Sequence, residues 1–362
     1  MGDNAKRFRI IRKELTTLFP GTASGNVARH LNTLAAMMSG IIGAKNVHLP
    51  EVASKAPNGT KLTSREKKFV RWVRNKRIEI EEYFLPFAQL LMARLAQIQE
   101  ALVIAIDGSS VGRGNIALMA NVIFKGRALP ITWIVLKGKK GHLPEELHLR
   151  LMEQIQALIP SDTRVVILGD GEFDGVRLLE TVSMMGWDFS CRTSKSIILN
   201  WEGYEFSCRE IEKHMTEGEY IDVCNCLFKK DKHGPVRVVC WWREDCKEPI
   251  YLVSNLTTAE EVCDQYALRF RIETFFSDQK TRGFQIQRSH LSNPERLSRL
   301  LIAACLAYIW VVYLGELCKE SGKAGEIHRC NRIDLSLFQL GFRWLEHLLN
   351  EGLRLVMPLK RA

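Results

Sequence analysis

The sequence lacks most of the patterns that mark disordered, repetitive and membrane-spanning proteins. It has no Ser-, Pro- or Gln-rich tract and no repeat of fixed period, which excludes a low-complexity linker and a solenoid. Its longest uncharged apolar run, at 300–315, falls short of the roughly 20 residues that a helix needs to cross a bilayer. We therefore expect a globular chain with no membrane partner, in which this run is a buried helix.

A secretory signal pattern is also missing at the N-terminus, although the sequence contains 10 cysteines. Without such a signal we expect a reducing, cytoplasmic setting and no structural disulfides. Zinc is an alternative use for four of the cysteines, but their spacings match no common zinc finger and alternating strand positions explain them as well. These four are Cys224, Cys226, Cys240 and Cys246.

Acidic residues are scarce in the first hundred positions. Residues 1–100 hold 17 Lys and Arg against 8 Asp and Glu, so nearly all of the net charge of +10 lies there. A basic surface attracts polyanions, and DNA is a better match than a membrane because no amphipathic or lipidated anchor accompanies the charge. A basic domain that binds nothing is the alternative.

Residues 1–96 have helical periodicity and are predicted to form a helical DNA-binding domain. One helix is predicted from a cap at Thr63 or Ser64 to Leu95, with an apolar stripe on one side. Its opposite side holds seven positive charges, which favours contact with phosphates over a merely solvated face. These are Arg65, Lys67, Lys68, Arg71, Arg74, Lys76 and Arg77.

From Leu102 onwards the pattern changes to short apolar runs typical of β-strands. The predicted order is strands at 102–106, 116–124 and 129–136, a helix at 144–158, a strand at 164–168, a helix at 174–185 and a strand at 187–191. An antiparallel meander that leads into crossover units is the layout of an RNase H-like α/β fold, with helices on both faces of a mixed sheet. We expect this core at 97–194 and 257–320, interrupted by a β-rich insertion at 195–256 and followed by a C-terminal helical region at 321–362.

Two aspartates are predicted to lie where strands of this core end. Asp107 follows the apolar run 102–106, and Asp170 follows the run 165–169. Carboxylates at neighbouring strand ends repel each other unless a cation holds them, so the pair points to a divalent metal site. An ordinary Asp-Gly turn is the alternative for each.

A third carboxylate lies in a more specific pattern. Tyr266, Arg269, Glu273 and Lys280 fall at offsets of 0, 3, 7 and 14 residues, which places all four on one stripe of a helix predicted from Thr257 or Thr258 to Arg282. A solvent-facing ladder of salt bridges is the alternative.

With these residues, the sequence resembles the DDE insertion-sequence transposases of the IS-four group, whose third carboxylate lies in Tyr-x2-Arg-x3-Glu-x6-Lys. The resemblance covers about residues 100–290. Two positions depart from it, because Ser109 and Gly171 stand where many relatives have Thr and Arg. Because of the second departure, Glu172 and Asp174 stay open as alternatives to Asp170.

The resemblance implies a catalytic and metal-binding triad of Asp107, Asp170 and Glu273 that holds two Mg²⁺ ions, for which Mn²⁺ can substitute. It implies that the same site hydrolyses the transposon end, forms a hairpin and joins the end to target DNA. It also implies DNA contacts by Tyr266, Arg269, Lys280 and Arg192, and a flipped base stacked on Trp241 or Trp242. The last two residues can equally be ordinary core or hairpin residues.

The expected partner is double-stranded DNA, both transposon ends and target, bound by a homodimer at the bacterial nucleoid. The basic loop 137–142 and the positive charges at 282–299 would extend the DNA groove, and His142 is a further catalytic candidate. Two other functions use the same carboxylates: an RNase H-like nuclease that cuts without joining, and a catalytically weakened DNA-binding regulator derived from a transposase.

Overall fold

The computed structural model describes residues 2–57, 59–141, 143–329 and 334–353, so His142 and parts of the C-terminal region lie outside the described residues. Six helices come first along the chain. They are α1 (Asp3–Leu18), α2 (Gly25–Ala44), α3 (Leu49–Lys55), α4 (Leu62–Arg74), α5 (Ile80–Tyr83) and α6 (Leu85–Ile98). The prediction of one helix from 63 to 95 is wrong, because the chain divides there into α4, α5 and α6. Pro86 marks the last division, since proline is tolerated in the first turn of α6 but not inside a helix.

These N-terminal helices do not stand apart from the rest of the protein. The ring of Phe84 lies 4.5 Å from that of Trp133, measured between centroids, and the guanidinium of Arg299 donates to the carbonyl of Ile78 at 2.9 Å. Their apolar residues join the same hydrophobic core as the sheet. The helical character of this region is therefore as predicted, whereas its independence as a DNA-binding domain stays a prediction.

Five strands form the first half of the sheet: β1 (Leu102–Gly112), β2 (Asn115–Phe124), β3 (Arg127–Lys137), β4 (Val165–Gly169) and β5 (Asp188–Thr193). They lie in the order β3-β2-β1-β4-β5, with β1, β2 and β3 antiparallel and with β4 parallel to both β1 and β5. Helices α7 (Glu145–Gln156) and α8 (Val176–Met184) make the crossovers. This mixed sheet and its crossover helices agree with the predicted RNase H-like layout, an antiparallel meander that leads into crossover units.

A hairpin joins β2 to β3, in agreement with the predicted antiparallel meander. Its two turn residues, Lys125 and Gly126, have φ angles of 45° and 75°. Positive φ at both positions gives the backbone twist that a two-residue hairpin turn needs.

The insertion continues the same sheet instead of forming a separate unit. It contains β6 (Ile198–Trp201), β7 (Tyr204–Ser207), α9 (Cys208–Glu212), β8 (Tyr220–Phe228), β9 (His233–Trp241) and β10 (Ile250–Ser254). Strand β10 is entirely buried and pairs antiparallel with β5 on one side and with β9 on the other. Strands β6 to β10 therefore extend the sheet of the core from five strands to ten.

After the sheet come α10 (Ala259–Leu268), α11 (Arg271–Gln279), α12 (Pro294–Glu320) and α13 (Leu337–Asn350). The apolar run at 300–315 belongs to α12, which is long and apolar enough for a membrane span, but 83% of its most apolar window is buried inside the protein. This burial supports its interpretation as a core helix. Helix α13 packs across α12 at Gly315 and Gly341, where the backbones come close together.

Candidate active site

Asp107 and Asp170 come together through the parallel pairing of β1 and β4. Ala105 pairs with Leu168, and the two aspartates lie two residues further along their respective chains. The prediction that Asp107 lies at the end of its strand is wrong, because β1 runs on to Gly112. The reason is that β2 continues to pair with β1 beyond the point where β4 stops.

The carboxylate of Asp107 is only 1% exposed and lies within a group of positive charges. The Lys140 ammonium lies 2.8 Å from its Oδ1 atom, and Nη1 of Arg269 lies 3.8 Å from its Oδ2 atom. Burial raises the pKa of the Asp107 carboxyl, the charge of Lys140 opposes that rise, and the neighbouring carboxylate of Asp170 adds to it. Burial thus makes the charged form of Asp107 costly, and the neighbouring cations offset only part of that cost.

The predicted signature helix is broken in two. The amide of Arg269 donates to the carbonyl of Tyr266, and the amides of Ile272 and Glu273 donate to the carbonyls of Arg269 and Phe270. Each of these bonds spans three residues, which tightens the turn between α10 and α11. The prediction of one continuous helix from Thr257 or Thr258 to Arg282 is therefore wrong.

Arg269 nonetheless connects two predicted site residues. Its Nη2 atom donates to Oε1 of Glu273 at 2.7 Å, while its Nη1 atom faces Asp107. The Glu273 side chain is 53% exposed. Arg269 therefore stands between the first and third predicted carboxylates.

Lys280 and Tyr266 lie on either side of this arrangement. Lys280 follows the last turn of α11, and its ammonium donates to the hydroxyl of Ser109 at 2.8 Å. Burial lowers the pKa of Lys280, and the nearby charge of Lys140 adds to this effect. Tyr266 is 1% exposed, with the guanidinium of Arg269 5.7 Å from its ring centroid. Its predicted phosphate contact stays a prediction, and in this conformation its ring is covered.

The choice of Asp170 over its neighbours has support in the contacts that the neighbours make. The carboxylate of Asp174 forms an ion pair with Lys229 and accepts a hydrogen bond from the hydroxyl of Thr193, at 2.6 Å from Oδ2. Oε1 of Glu172 accepts the backbone N–H of Leu143 at 2.9 Å. Asp170 accepts a bond from the Glu172 amide in its own loop, and it is the carboxylate that follows β4 directly.

The resemblance described above implies divalent metal ions as cofactors. The oxygen ligands of Asp107 and Asp170 suit such an ion, and the buried Oδ1 atom of Asp107 has no partner besides Lys140 among the described residues. Among those residues, no three His, Cys, Asp or Glu side chains lie close enough to hold one ion as they stand. The two aspartates thus fit a metal site, and Glu273 is separated from it by the Arg269 guanidinium.

The remaining predicted DNA contacts lie on and beside the second half of the sheet. Arg192 lies within β5 and is exposed, opposite Leu252 of β10. Trp241 ends β9 with the guanidinium of Arg243 5.3 Å from its ring centroid, and the indole N–H of Trp242 donates to the carbonyl of Cys246. Both tryptophans are half-buried. Base stacking by either one stays a prediction.

Sequence reasoning did not single out Lys140. Its one signal was membership of the basic loop 137–142, which indicated phosphate contact and not a contact with Asp107. The hydrogen bond from Lys280 to Ser109 was also missed, although Ser109 stands where many relatives have Thr, which also carries a hydroxyl.

Comparison with known proteins identifies the family. Residues 99–310 match a family model described as a transposase DDE domain. No curated protein matches the chain in sequence. Among solved structures, the chain is similar to a piggyBac transposase in a synaptic complex with hairpin DNA, at 11% identity and a TM-score of 0.45, covering 96% of this chain and 77% of that one. It is also similar to human ENDOV, at 14% identity and a TM-score of 0.25, covering 66% of this chain and 99% of that one. The family match spans more than half of the sequence and includes Asp107, Asp170 and Glu273, so the chain belongs to the transposases that carry a DDE domain.

Proposed function

We propose that this transposase uses Asp107, Asp170 and Glu273 to cleave DNA at the ends of its insertion sequence and to join the freed ends to target DNA. One observation carries the proposal. A buried carboxylate, Asp107, lies beside Asp170 at the edge of the β4 pairing and has Lys140, Arg269 and Lys280 around it. The carboxylates are suited to divalent ions, and the surrounding basic side chains are suited to the phosphates on which such ions act.

The three carboxylates would hold two Mg²⁺ ions, or Mn²⁺ in their place, because hard oxygen ligands select such ions. When bound, the ions activate the attacking oxygen and stabilise the leaving oxygen of the phosphodiester. Arg269 and Lys280 would then be released from Glu273 and Ser109 to contact phosphates at the cleaved end. Arginine suits this role because it can bind a phosphate through two N–H groups, whereas lysine acts as a point charge.

Double-stranded DNA would reach the site along basic surfaces. The outer face of α4 and the residues after it expose Lys67, Arg71, Arg74, Lys76 and Arg77, while Phe69, Trp72 and Val73 face the core. Arg192 would extend the path onto β5. We further propose that the reaction passes through hairpin ends, with a flipped base on Trp241 or Trp242, and that a homodimer in the cytoplasm pairs two ends.

The test uses purified full-length protein, Mg²⁺ and DNA that carries the flanking ends of the protein's own gene. Asp107→Asn, Asp170→Asn and Glu273→Gln are compared with Glu260→Gln, a matched control at an exposed glutamate on the neighbouring helix. We expect nicks, hairpins and joined strands from the wild type and the control, and DNA binding without products from the three site variants.

Other outcomes assign other functions. Cleavage without joined products would point to a nuclease, and binding without cleavage by the wild type would point to a regulator. An active Asp170→Asn variant would remove Asp170 from the metal site.

A further inference from the structure

Three cations surround Asp107, and they are held very differently. The Arg269 side chain is 8% exposed and is bonded to Glu273, and the Lys280 ammonium is bonded to Ser109. Lys140 comes from the loop between β3 and α7, and its side chain is 47% exposed. In the part of the chain that the structure describes, its ammonium contacts no acceptor other than Asp107. Lys140 is therefore the cation that can leave most easily.

The atom that Lys140 contacts is one that needs a cation. Oδ1 of Asp107 is buried and has no other partner among the described residues. A divalent ion that binds this oxygen and an ammonium 2.8 Å from it would repel each other strongly at such close range. The ion and the ammonium therefore compete for one place.

We propose that Lys140 is an exchangeable counter-ion of Asp107, which keeps metal affinity low in the free protein and is drawn away when a DNA phosphate arrives. The proposal rests on the proposed function, because it concerns the same metal site. The half-exposed side chain of Lys140 can swing its ammonium towards a phosphate on the solvent side, and lysine binds phosphate as a point charge without demanding a fixed geometry. Gly138 and Gly141 flank the residue in its loop, and Gly141 has a φ of 84°.

A consequence of this exchange is that DNA and metal help each other to bind. DNA removes the competitor of the metal, and by thermodynamic reciprocity the metal must strengthen DNA binding by the same factor. The metal site would thus be loaded mainly on DNA, which limits cleavage before an end is bound.

The test measures Mn²⁺ affinity by calorimetry on the full-length protein, first without DNA and then with a duplex that lacks the element's ends. Lys140→Met removes the charge and keeps an aliphatic stem, and Lys139→Met is the matched control on the same loop. Asp107→Asn reports on the site itself. Loss of one charge-assisted contact by the competitor should tighten Mn²⁺ binding about tenfold in Lys140→Met without DNA. The Lys139→Met control should bind Mn²⁺ with the affinity of the wild type. Addition of the duplex should remove most of the difference in Mn²⁺ affinity between Lys140→Met and the wild type.

Failures of the two proposals give different results. Equal Mn²⁺ affinity in Lys140→Met and wild type, with binding lost in Asp107→Asn, overturns the counter-ion role and leaves the metal site intact. Unchanged binding in Asp107→Asn overturns the metal site and the counter-ion role together. If the tenfold difference in Mn²⁺ affinity persists in the presence of the duplex, DNA phosphate does not release Lys140 from Asp107.

Discussion

The ammonium of Lys229 donates both to the backbone carbonyl of Asp174, at 2.6 Å, and to its carboxylate, at 2.8 Å. Lys229 follows β8 in the insertion, and Asp174 lies in the loop that begins with Asp170. The contact therefore fastens the insertion to the loop that carries the second proposed metal ligand. It gives Asp174 a structural role that is distinct from the role proposed for Asp170.

We expect Asp170→Asn and Asp174→Asn to separate these roles. Asp174→Asn leaves a partly buried Lys229 without its charged partner, which should lower the free energy of unfolding by about 1–3 kcal/mol. Asp170→Asn should abolish end cleavage with little change in the urea midpoint. Urea denaturation and a cleavage assay on both variants check this, and a stable but inactive Asp174→Asn would reverse the assignment.

A buried ion pair between Arg127 and Asp278 ties the hairpin end of β3 to α11, and Nη2 of Arg127 also donates to the hydroxyl of Tyr308 at 3.1 Å. Both charged side chains are less than 10% exposed. Removing one partner, as in Arg127→Met or Asp278→Leu, should cost about 3–5 kcal/mol because the other charge stays buried alone. The double variant should cost less than the sum of the two in urea denaturation. Additive losses would mean that the two charges do not interact.

Gly315 should reverse the usual preference for alanine in helices. Alanine in place of glycine inside a helix normally stabilises by roughly 0.5–1 kcal/mol. At position 315, however, an added Cβ would lie 1.9 Å from the carbonyl oxygen of Leu337. We expect Gly315→Ala to lower the free energy of unfolding by about 1–3 kcal/mol through overpacking of α12 against α13. A thermal midpoint above that of the wild type would contradict this close approach.

The raised pKa of Asp107 predicts how Asp107→Asn changes stability with pH. A carboxyl whose pKa is higher in the folded than in the unfolded protein contributes stability below the unfolded value of 3.8, and this contribution is lost as the pH rises through the folded value. Asparagine mimics the neutral form at every pH. We therefore expect Asp107→Asn to be more stable than the wild type near neutral pH, with the difference vanishing as the pH falls towards 3.8. Urea denaturation of both proteins in metal-free buffer across this range checks the sign.

The sequence was sufficient for those parts of the molecule that local pattern controls. The apolar runs located the core strands. The spacing of Arg269 and Glu273 placed them on one side of a helix, and their side chains are in contact. The sequence was insufficient where the bounds of an element or the position of a side chain depend on contacts with another part of the chain. The length of β1 depends on β2, the division between α10 and α11 depends on three hydrogen bonds that no side-chain periodicity reveals, and Lys140 lies in a loop without periodicity.

The continuity of the ten-stranded sheet determines how a load on the insertion is carried. Neighbouring strands lie about 4.8 Å apart, so three ladders of hydrogen bonds, roughly 14 Å in all, separate β9 from β4 through β10 and β5. A nucleotide that contacts Trp241 would therefore act on a continuous hydrogen-bonded sheet and not on a separately moving domain. The same sheet holds the end of β4, which Asp170 follows directly, so the contact with DNA and the proposed metal ligand share one hydrogen-bonded framework.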